Sequence, residues 1–316
     1  MTEKDVLIIA HRGACGYLPE HTLEAKAFAY ALGADYIEQD VVATRDDALI
    51  VLHDIHLEQV TNVAERFPER QRQDGRFYAR DFDLAEIRLL NVWERRQEDG
   101  KTAVFPKRFP TGLGKFRVPT LAEEIALVQG LNQSTGRNTG IYPEIKSPAW
   151  HRQEGVDLSA LVLRELSESG YTNRDDKVFL QCFDAAEVRR IREELGCELK
   201  MVQLLGENAW GESDTDYETL KTADGLARLA ETVEGVGPWI GQLIRMADID
   251  GHPVSTGFVS AAHAAGLQVH PFTFRADELA PGFETLEEMI RWFVDELKID
   301  GLFTDFTDIA ANALRS

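Results

Sequence analysis

Short apolar runs alternate with segments of helical periodicity along most of the chain. Residues 6–10, VLIIA, are uninterrupted apolar residues, which is typical of a strand buried on both faces of a parallel sheet. Thr22 precedes apolar residues at helical spacing and Gly33 follows them, so the pattern predicts a helix over 22–33. A second strand is predicted at 35–42. The chain is therefore expected to open with a strand, a helix and a strand.

The same alternation predicts the later elements. Further strands are expected at 139–145, 177–182, 199–205, 232–237, 266–272 and 299–304. Helices are expected at 120–132, 155–170, 184–195, 219–231, 255–265 and 284–298, with a last helix at 307–315. Strands and helices that alternate about eight times predict a (β/α)8 TIM barrel, an α/β fold. A doubly wound open sheet is the alternative.

One long segment interrupts this alternation. A hairpin-like stretch over 36–54 is joined to the helix at 120–132 through residues 54–118, which are rich in Arg, Asp, Gln, Pro and aromatic residues. Loops in α/β units usually run about 2–6 residues, so this connection is too long to be an ordinary loop. It contains no Gly/Ser linker. We therefore expect one barrel domain over 1–316, with 54–118 as a small inserted subdomain.

Charge and composition exclude several classes of partner. The 316 residues include 34 Lys and Arg against 54 Asp and Glu, a formal net charge of -20 at pH 7. Nucleic acids and anionic membranes are bound through basic surfaces, so neither is expected as a partner. No apolar run approaches the ~18 residues of a membrane span. Three cysteines without CxxC spacing indicate neither a disulfide framework nor a structural zinc site.

Two histidines follow apolar strands near the start of the chain. His11 and Arg12 come directly after the first strand, at the end of a barrel strand where active sites are built. A histidine can transfer protons near neutral pH, and an arginine offers a planar fork to a phosphate. His53 ends a later apolar run, so the two histidines could serve as acid and base. The alternative is structural: a strand-end hydrogen bond for His53, and a loop carboxylate such as Glu20 holding the His-Arg pair.

Carboxylates at strand positions suggest a cation site. Glu38 and Asp40 are two residues apart on the second strand, so both side chains point to the same side. Buried carboxylates are costly without positive charge between them, and their oxygens suit Ca²⁺ or Mg²⁺ better than zinc. Glu144 and Lys146 on a later strand could add a cation ligand and an anion-binding group. Salt bridges at the barrel rim and a Glu-Lys ion pair are the alternatives.

Together these residues form a pattern of His-Arg at 11–12, Glu-x-Asp at 38–40 and a histidine at position 53. The pattern resembles the glycerophosphodiester phosphodiesterase family, most closely the calcium-dependent bacterial type that is usually exported to the periplasm. The likeness also covers 15–40, 65–70, 74–82, 140–148, 177–184 and 301–308. At two positions the chain departs from residues frequent in the family, with His21 in place of Asn and Cys15 in place of Ser.

The resemblance implies a metal-dependent diesterase. It assigns Glu38, Asp40 and Glu144 to one divalent cation, with Ca²⁺ expected and Mg²⁺ as the alternative. It assigns His11 and His53 to general acid and base catalysis. The products that it implies are glycerol 3-phosphate and a free alcohol.

The resemblance also implies residues that bind the substrate. Arg12 and Lys146 would hold the phosphate oxygens, while Glu20 would orient the His-Arg loop or approach the metal. The residues expected to line the alcohol pocket are Gln181, Phe183, His270, Phe272 and Asp305.

Two other functions compete with this hypothesis. A phospholipase-type phosphodiesterase would act on intact lipid, but the acidic composition and the lack of an evident basic amphipathic helix disfavour stable membrane association. A non-catalytic polyol-phosphate binding protein would require a missing motif group, and every motif group is present. The expected partner is a small-molecule diester, and a homodimer is left open. The resemblance implies a periplasmic location, although residues 1–5 do not resemble an export signal, so a cytoplasmic location is the alternative.

Overall fold

Strands and helices alternate in the computed structural model, which describes residues 6–246 and 252–315. The strands are β1 (Leu7–Ala10), β2 (Tyr36–Ala43), β3 (Leu49–Val51), β4 (Gly140–Ile145), β5 (Phe179–Cys182), β6 (Lys200–Leu205), β7 (Gly235–Pro238), β8 (Ile244–Met246), β9 (Pro253–Ser255), β10 (Gln268–Val269) and β11 (Gly301–Thr304). The helices are α1 (Leu23–Ala31), α2 (Val63–Arg66), α3 (Leu84–Ile87), α4 (Leu121–Thr135), α5 (Pro148–Gln153), α6 (Leu158–Glu168), α7 (Ala185–Glu193), α8 (Tyr217–Leu220), α9 (Ala223–Leu229), α10 (Phe258–Ala264), α11 (Leu286–Trp292) and α12 (Thr307–Arg315). A π-helical turn at Phe293–Leu297 extends α11.

The main sheet is a nearly closed parallel barrel. Its strand order is β10-β7-β6-β5-β4-β2-β1-β11. The two ends of this order meet, because the Phe303 N–H donates to the Pro271 carbonyl at 3.0 Å and Phe274 forms a parallel bridge with Thr304. Helices connect most of the successive strands, so the predicted (β/α)8 barrel is confirmed and the open sheet is wrong. A short hairpin, β8-β9, lies outside the barrel.

Local capping signals set the helix boundaries. Thr22 accepts a hydrogen bond from the Ala25 N–H at the start of α1, and Thr120 forms a capping box with Glu123 at the start of α4. The helix predicted at 219–231 is instead two helices, α8 and α9, because Thr222 caps a new helix start. No helix within the described ranges is long and apolar enough to cross a membrane.

Aromatic side chains fill the lower interior of the barrel. The rings of Tyr142 and Phe179 stack with their centroids 5.1 Å apart, and Phe303 meets Tyr142 edge to face at 5.0 Å. Gly140 is required beside them, because a Cβ there would lie 2.4 Å from the Tyr36 ring. This layer closes the barrel from below, so open space is left at the carboxyl ends of the strands.

The segment 54–118 has its own buried cluster. Phe77, Phe82 and Leu90 pack together with Ile50 of β3 and Val42 of β2. The segment therefore builds its core on the outer face of the β2-β3 hairpin and does not need a core of its own large enough to fold alone. On another side, Tyr78 of the segment stacks on Trp150 of α5 at 5.5 Å.

Truncation of Phe82 is expected to destabilise the protein strongly. The ring is fully buried, lies 5.5 Å from that of Phe67 and is covered by the Arg70 guanidinium. We expect Phe82→Ala to lower the free energy of unfolding by about 3–5 kcal/mol in urea titrations, since truncation leaves a large cavity. Leu113→Ala in the same segment is the control; that side chain is 61% exposed, and a change below about 0.5 kcal/mol is expected. Equal effects of the two substitutions would contradict the prediction.

Candidate functional site

A cavity of about 240 Å³ opens among the carboxyl ends of the barrel strands. It brings together ten of the residues that the sequence singled out, namely His11, Arg12, Glu38, Asp40, His53, Glu144, Lys146, Gln181, Phe183 and Phe272. Barrel geometry explains the convergence, because every parallel strand ends on the same face. Strand register places Asp40 of β2 beside Glu144 of β4, and Glu144 beside Gln181 of β5.

Three carboxylates form a compact cluster in this cavity. One oxygen from each of Glu38, Asp40 and Glu144 lies within 4.8 Å of the others, and all three residues are buried. Among the described residues, Asp40 Oδ1 accepts no hydrogen bond. Buried oxygen ligands at this spacing fit a divalent cation, so this group could hold a metal ion.

The three carboxylates are stabilised to different degrees by their neighbours, so their pKa values shift in different directions. Burial raises the pKa of Glu38 and of Glu144, although Lys146 Nζ donates to Glu144 Oε1 at 2.7 Å. The Gln181 amide and the Arg12 backbone N–H donate to the two oxygens of Glu38, at 2.9 and 2.8 Å. The pKa of Asp40 is lowered: burial alone would raise it, but His21 and Lys146 more than compensate. Without a cation, three adjacent carboxylates are therefore only partly neutralised.

Each of the two histidines is held by a carboxylate. His11 Nδ1 lies 2.6 Å from Asp305 Oδ1, and His53 Nδ1 lies 2.7 Å from Asp54 Oδ1. A carboxylate that accepts the Nδ1–H fixes the tautomer and leaves Nε2 for proton transfer. Burial, with the positive charges of Arg12 and Lys146, lowers the pKa of His53 to about 4, so this imidazole is neutral at pH 7.

Arg12 is held from behind by Glu20. Its Nη1 lies 3.1 Å from both oxygens of Glu20, and its Nε lies 3.6 Å from Asp40 Oδ2. Arg12 has a φ of 55°, a left-handed conformation that is unusual outside glycine. Glu20 itself lines a second cavity of about 260 Å³, between the barrel and the segment 54–118. Glu20 thus orients Arg12 and does not line the first cavity.

His21 links the carboxylate cluster to a buried ion pair. Lys26 Nζ donates to His21 Nδ1 at 3.1 Å, so the opposite nitrogen carries the proton and donates to Asp40 Oδ2 at 2.7 Å. Burial and the Lys26 charge lower the pKa of His21 to about 3, which keeps the ring neutral. Lys26 also lies 3.3 Å from Glu124 of α4, and neither side chain is exposed to solvent. The histidine found in place of asparagine therefore supports Asp40.

Aromatic side chains form the opposite wall of the cavity. Phe183 and Phe272 meet edge to face at 5.8 Å, and Trp210 and Trp239 do so at 5.7 Å. The carboxylate of Glu212 lies beside them in the lining. The cavity is thus charged on one side and largely apolar on the other, as suits a diester with a charged centre and an organic substituent.

Two residues expected in the alcohol pocket lie elsewhere. His270 is fully buried among the aromatic residues of the lower barrel, with Nδ1 2.8 Å from the Tyr142 hydroxyl. It faces inward like Phe272 but lies two residues earlier, which is one layer deeper in the barrel. Asp305 lies behind His11, where it contacts Arg108 and Arg275. Neither residue lines the first cavity, so the expectation for both was wrong.

Sequence reasoning missed several residues around the cavity. Asp54 directly follows His53, and this adjacency was a usable signal. Trp239 directly follows β7, which places it at the same rim. Arg95, Arg108 and Arg275 had no local signal, because they approach the site only through tertiary packing.

Comparisons with known proteins identify the family of this chain. Residues 11–309 match the model of the glycerophosphoryl diester phosphodiesterase family. A glycerophosphodiester phosphodiesterase of Haemophilus influenzae is 40% identical, covering 99% of this chain and 91% of that protein. One from Treponema pallidum is 38% identical, covering 98% and 91%. A solved structure from Silicibacter pomeroyi DSS-3 superposes with a TM-score of 0.73 at 25% identity, covering 98% of this chain and 93% of the other.

The chain therefore belongs to the glycerophosphoryl diester phosphodiesterase family and is an enzyme of the phosphoric diester hydrolase class. A more distant structure, from Oleispira antarctica, holds sn-glycerol-3-phosphate as its product. It superposes with a TM-score of 0.65 at 19% identity, covering 99% of this chain and 98% of the other, and at that identity it supports the fold alone.

Loss of the Lys26 charge is expected to destabilise the fold. Lys26→Met leaves Glu124 buried and unpaired, which we expect to cost about 3–5 kcal/mol in the free energy of unfolding, measured by urea denaturation. The matched control is the double variant Lys26→Met with Glu124→Met, which removes the carboxyl left without its partner, a group whose pKa burial already raises to about 8, and should recover the part of the loss that this carboxyl causes. A double variant less stable than Lys26→Met alone would refute this account.

Proposed function

We propose that this enzyme hydrolyses glycerophosphodiesters to glycerol 3-phosphate and a free alcohol, with a bound divalent cation and with His11 and His53 as general acid and base. The observation that carries the proposal is the convergence of two carboxylate-held histidines and three carboxylates on one cavity. The relatives named above support the substrate class.

The carboxylate cluster fits a hard cation. Glu38, Asp40 and Glu144 provide only oxygen ligands, and Asp40 Oδ1 is buried without a hydrogen-bond donor among the described residues. Ca²⁺ is the ion that we propose, with Mg²⁺ as the alternative, because carboxylates suit both better than zinc. When bound, the cation supplies positive charge that neutralises phosphate oxygens.

Arg12 and Lys146 supply the remaining positive charge for the phosphate. Both line the cavity beside the carboxylates, and both are buried or nearly so. Burial would lower the pKa of each group, but their acidic neighbours outweigh it and raise both pKa values, so the two groups stay charged. Fixed charges that face the developing negative charge of the phosphoryl group stabilise the transition state because they need no reorganisation.

The two histidines perform the proton transfers. One imidazole takes the proton from the attacking oxygen, and the other gives a proton to the oxygen of the leaving alcohol. The attacking oxygen belongs to water or to the neighbouring glycerol hydroxyl; the second route passes through a cyclic phosphate that water then opens. Asp54 and Asp305 hold the rings in the tautomer that these steps need.

The aromatic wall is the side that we assign to the alcohol group. Phe183, Trp210, Trp239 and Phe272 offer ring faces and edges, while Gln181 lies between this wall and the carboxylates through its bond to Glu38. The cavity of about 240 Å³ is small, which favours water-soluble diesters over intact lipid. A binding protein without turnover would have no use for two carboxylate-held histidines beside a phosphate site.

Metal removal is expected to abolish activity. We expect exhaustive chelation to eliminate release of glycerol 3-phosphate from glycerophosphocholine, and Ca²⁺ to restore it better than Zn²⁺. Asp40→Asn should weaken Ca²⁺ binding measured by calorimetry. Glu194→Gln changes a carboxylate that is 72% exposed on the surface and should leave binding unchanged. Full turnover by chelated protein that contains no metal would rule out the cation.

Truncation of either histidine is expected to lower turnover by about 10²–10⁴-fold, the range for loss of general acid or base catalysis. His11→Ala and His53→Ala should fold normally, and their effects on kcat should be non-additive because both serve one proton-transfer sequence. The control is His263→Ala, since His263 pairs with Asp300 outside the cavity. A near-normal kcat in His11→Ala or His53→Ala would show that the histidine replaced has a structural role and not a catalytic one.

A further inference from the structure

Two arginines of the segment 54–118 reach the carboxylates that hold the two histidines. Arg95 Nη1 donates to Asp54 Oδ2 at 2.6 Å, and the other oxygen of Asp54 contacts His53. The result is a continuous chain of hydrogen bonds from an arginine of the inserted segment to the ring of His53.

The second chain has the same construction on the other side of the cavity. Arg108 Nη2 donates to Asp305 Oδ2 at 2.6 Å, and Asp305 Oδ1 contacts His11. Arg275 of the barrel adds a third hydrogen bond, from Nε to Asp305 Oδ2 at 2.9 Å. His11 directly follows β1 and Asp305 directly follows β11, so an arginine far away in sequence completes a pair formed near the two ends of the chain.

Both guanidinium groups are themselves held rigidly. Arg95 donates two further hydrogen bonds to Glu20, of 2.6 and 3.0 Å, and Arg108 donates two to Asp277, of 2.8 and 2.9 Å. Arg108 also lies over the ring of Phe105 at 3.7 Å. A planar guanidinium bound in this bidentate manner has little rotational freedom, so it transmits a defined position to its other partner.

Arg95 and Arg108 compensate for the burial of the two aspartates. Asp54 and Asp305 lie in surroundings where desolvation alone would raise the pKa of a carboxyl. Arg95 and His53 keep the pKa of Asp54 well below its usual range, and Arg275, His11 and Arg108 do so for Asp305. The aspartates thus stay ionised, and an ionised carboxylate accepts the Nδ1–H of the histidine more strongly than a protonated one.

We propose that Arg95 and Arg108 are positioning residues through which the inserted segment orients His53 and His11. The inference rests on the catalytic roles proposed above for the two histidines. It gives the segment 54–118 a part in building the active site. The competing explanation is that the two arginines only dock the segment on the barrel.

A matched arginine separates positioning from docking. Arg72 also joins the segment to the barrel: it donates to Asp81 of the segment itself and to Glu154, which directly follows α5, and it touches neither aspartate that holds a histidine. We expect Arg95→Ala and Arg108→Ala each to lower kcat for glycerophosphocholine by about 10–100-fold, as for loss of a group that orients a ligand or catalytic residue. Arg72→Ala should change kcat less than about twofold. An equal loss in all three variants would overturn the proposal in favour of docking.

Double variants test whether each arginine acts through its own aspartate. In an Asp54→Asn background, Arg95→Ala should have little further effect on kcat, because the chain is already broken. In an Asp305→Asn background, where the chain from Arg95 through Asp54 is intact, Arg95→Ala should still lower kcat further, and Arg108→Ala should show the reverse pattern. Losses that multiply in every background would contradict positioning through the aspartates.

Folding and the proposed function are controlled separately. Thermal unfolding shows whether each alanine variant is folded, and Ca²⁺ binding should match that of the wild type in both; where an alanine variant fails to fold, Arg95→Lys or Arg108→Lys replaces it. Lysine keeps the positive charge but loses the planar, bidentate guanidinium, so a fall in kcat without a change in stability supports positioning, and wild-type kcat refutes it.

The histidine variants separate this proposal from the proposed function. If His11→Ala and His53→Ala are active, the proposed function fails. If they are inactive while the arginine variants retain wild-type kcat, the positioning proposal alone fails.

Discussion

Three carboxylates buried within 4.8 Å of one another impose the main physical constraint on this protein. Removing such groups from water is costly, and their mutual repulsion adds to the cost. The surrounding residues compensate in part: Lys146 contacts Glu144, while His21 and Arg12 lie against Asp40. The remaining negative charge is what would attract the cation proposed above. A site built in this way is stable and functional only when its positive partners are in place.

Charged and polar residues farther from the cavity continue to balance the buried charge. His21 contacts Lys26, and Lys26 contacts Glu124 on the neighbouring helix, so a buried ion pair between α1 and α4 supports the second strand from behind. The inserted segment adds further positive groups, Arg95 and Arg108, next to aspartates that contact the histidines. The barrel and the inserted segment therefore share one electrostatic network, although their apolar cores are separate.

Sequence patterns were informative where a short segment carries its own physical reason. Apolar runs of strand length and helix caps such as Thr22 and Thr120 are local, and they led to the correct barrel. Residue types at strand ends were also informative, because all parallel strands end on one face. The depth of a side chain in the barrel was not readable in this way. His270 and Phe272 share a side of one strand end, yet one lies in the buried floor and the other lines the cavity.

The amino-acid pattern was thus sufficient for the fold class and for most of the residues that line the charged side of the cavity. Only the tertiary structure determined which residues contact these lining residues from the side away from the cavity. Asp305 lies 294 positions from His11 along the chain, yet the closure of the barrel places the two side chains 2.6 Å apart. Arg95 and Arg108 lie in a segment without regular periodicity, so no local rule indicated where their side chains reach. Electrostatic compensation acts through space, and the folded chain determines which charges become neighbours.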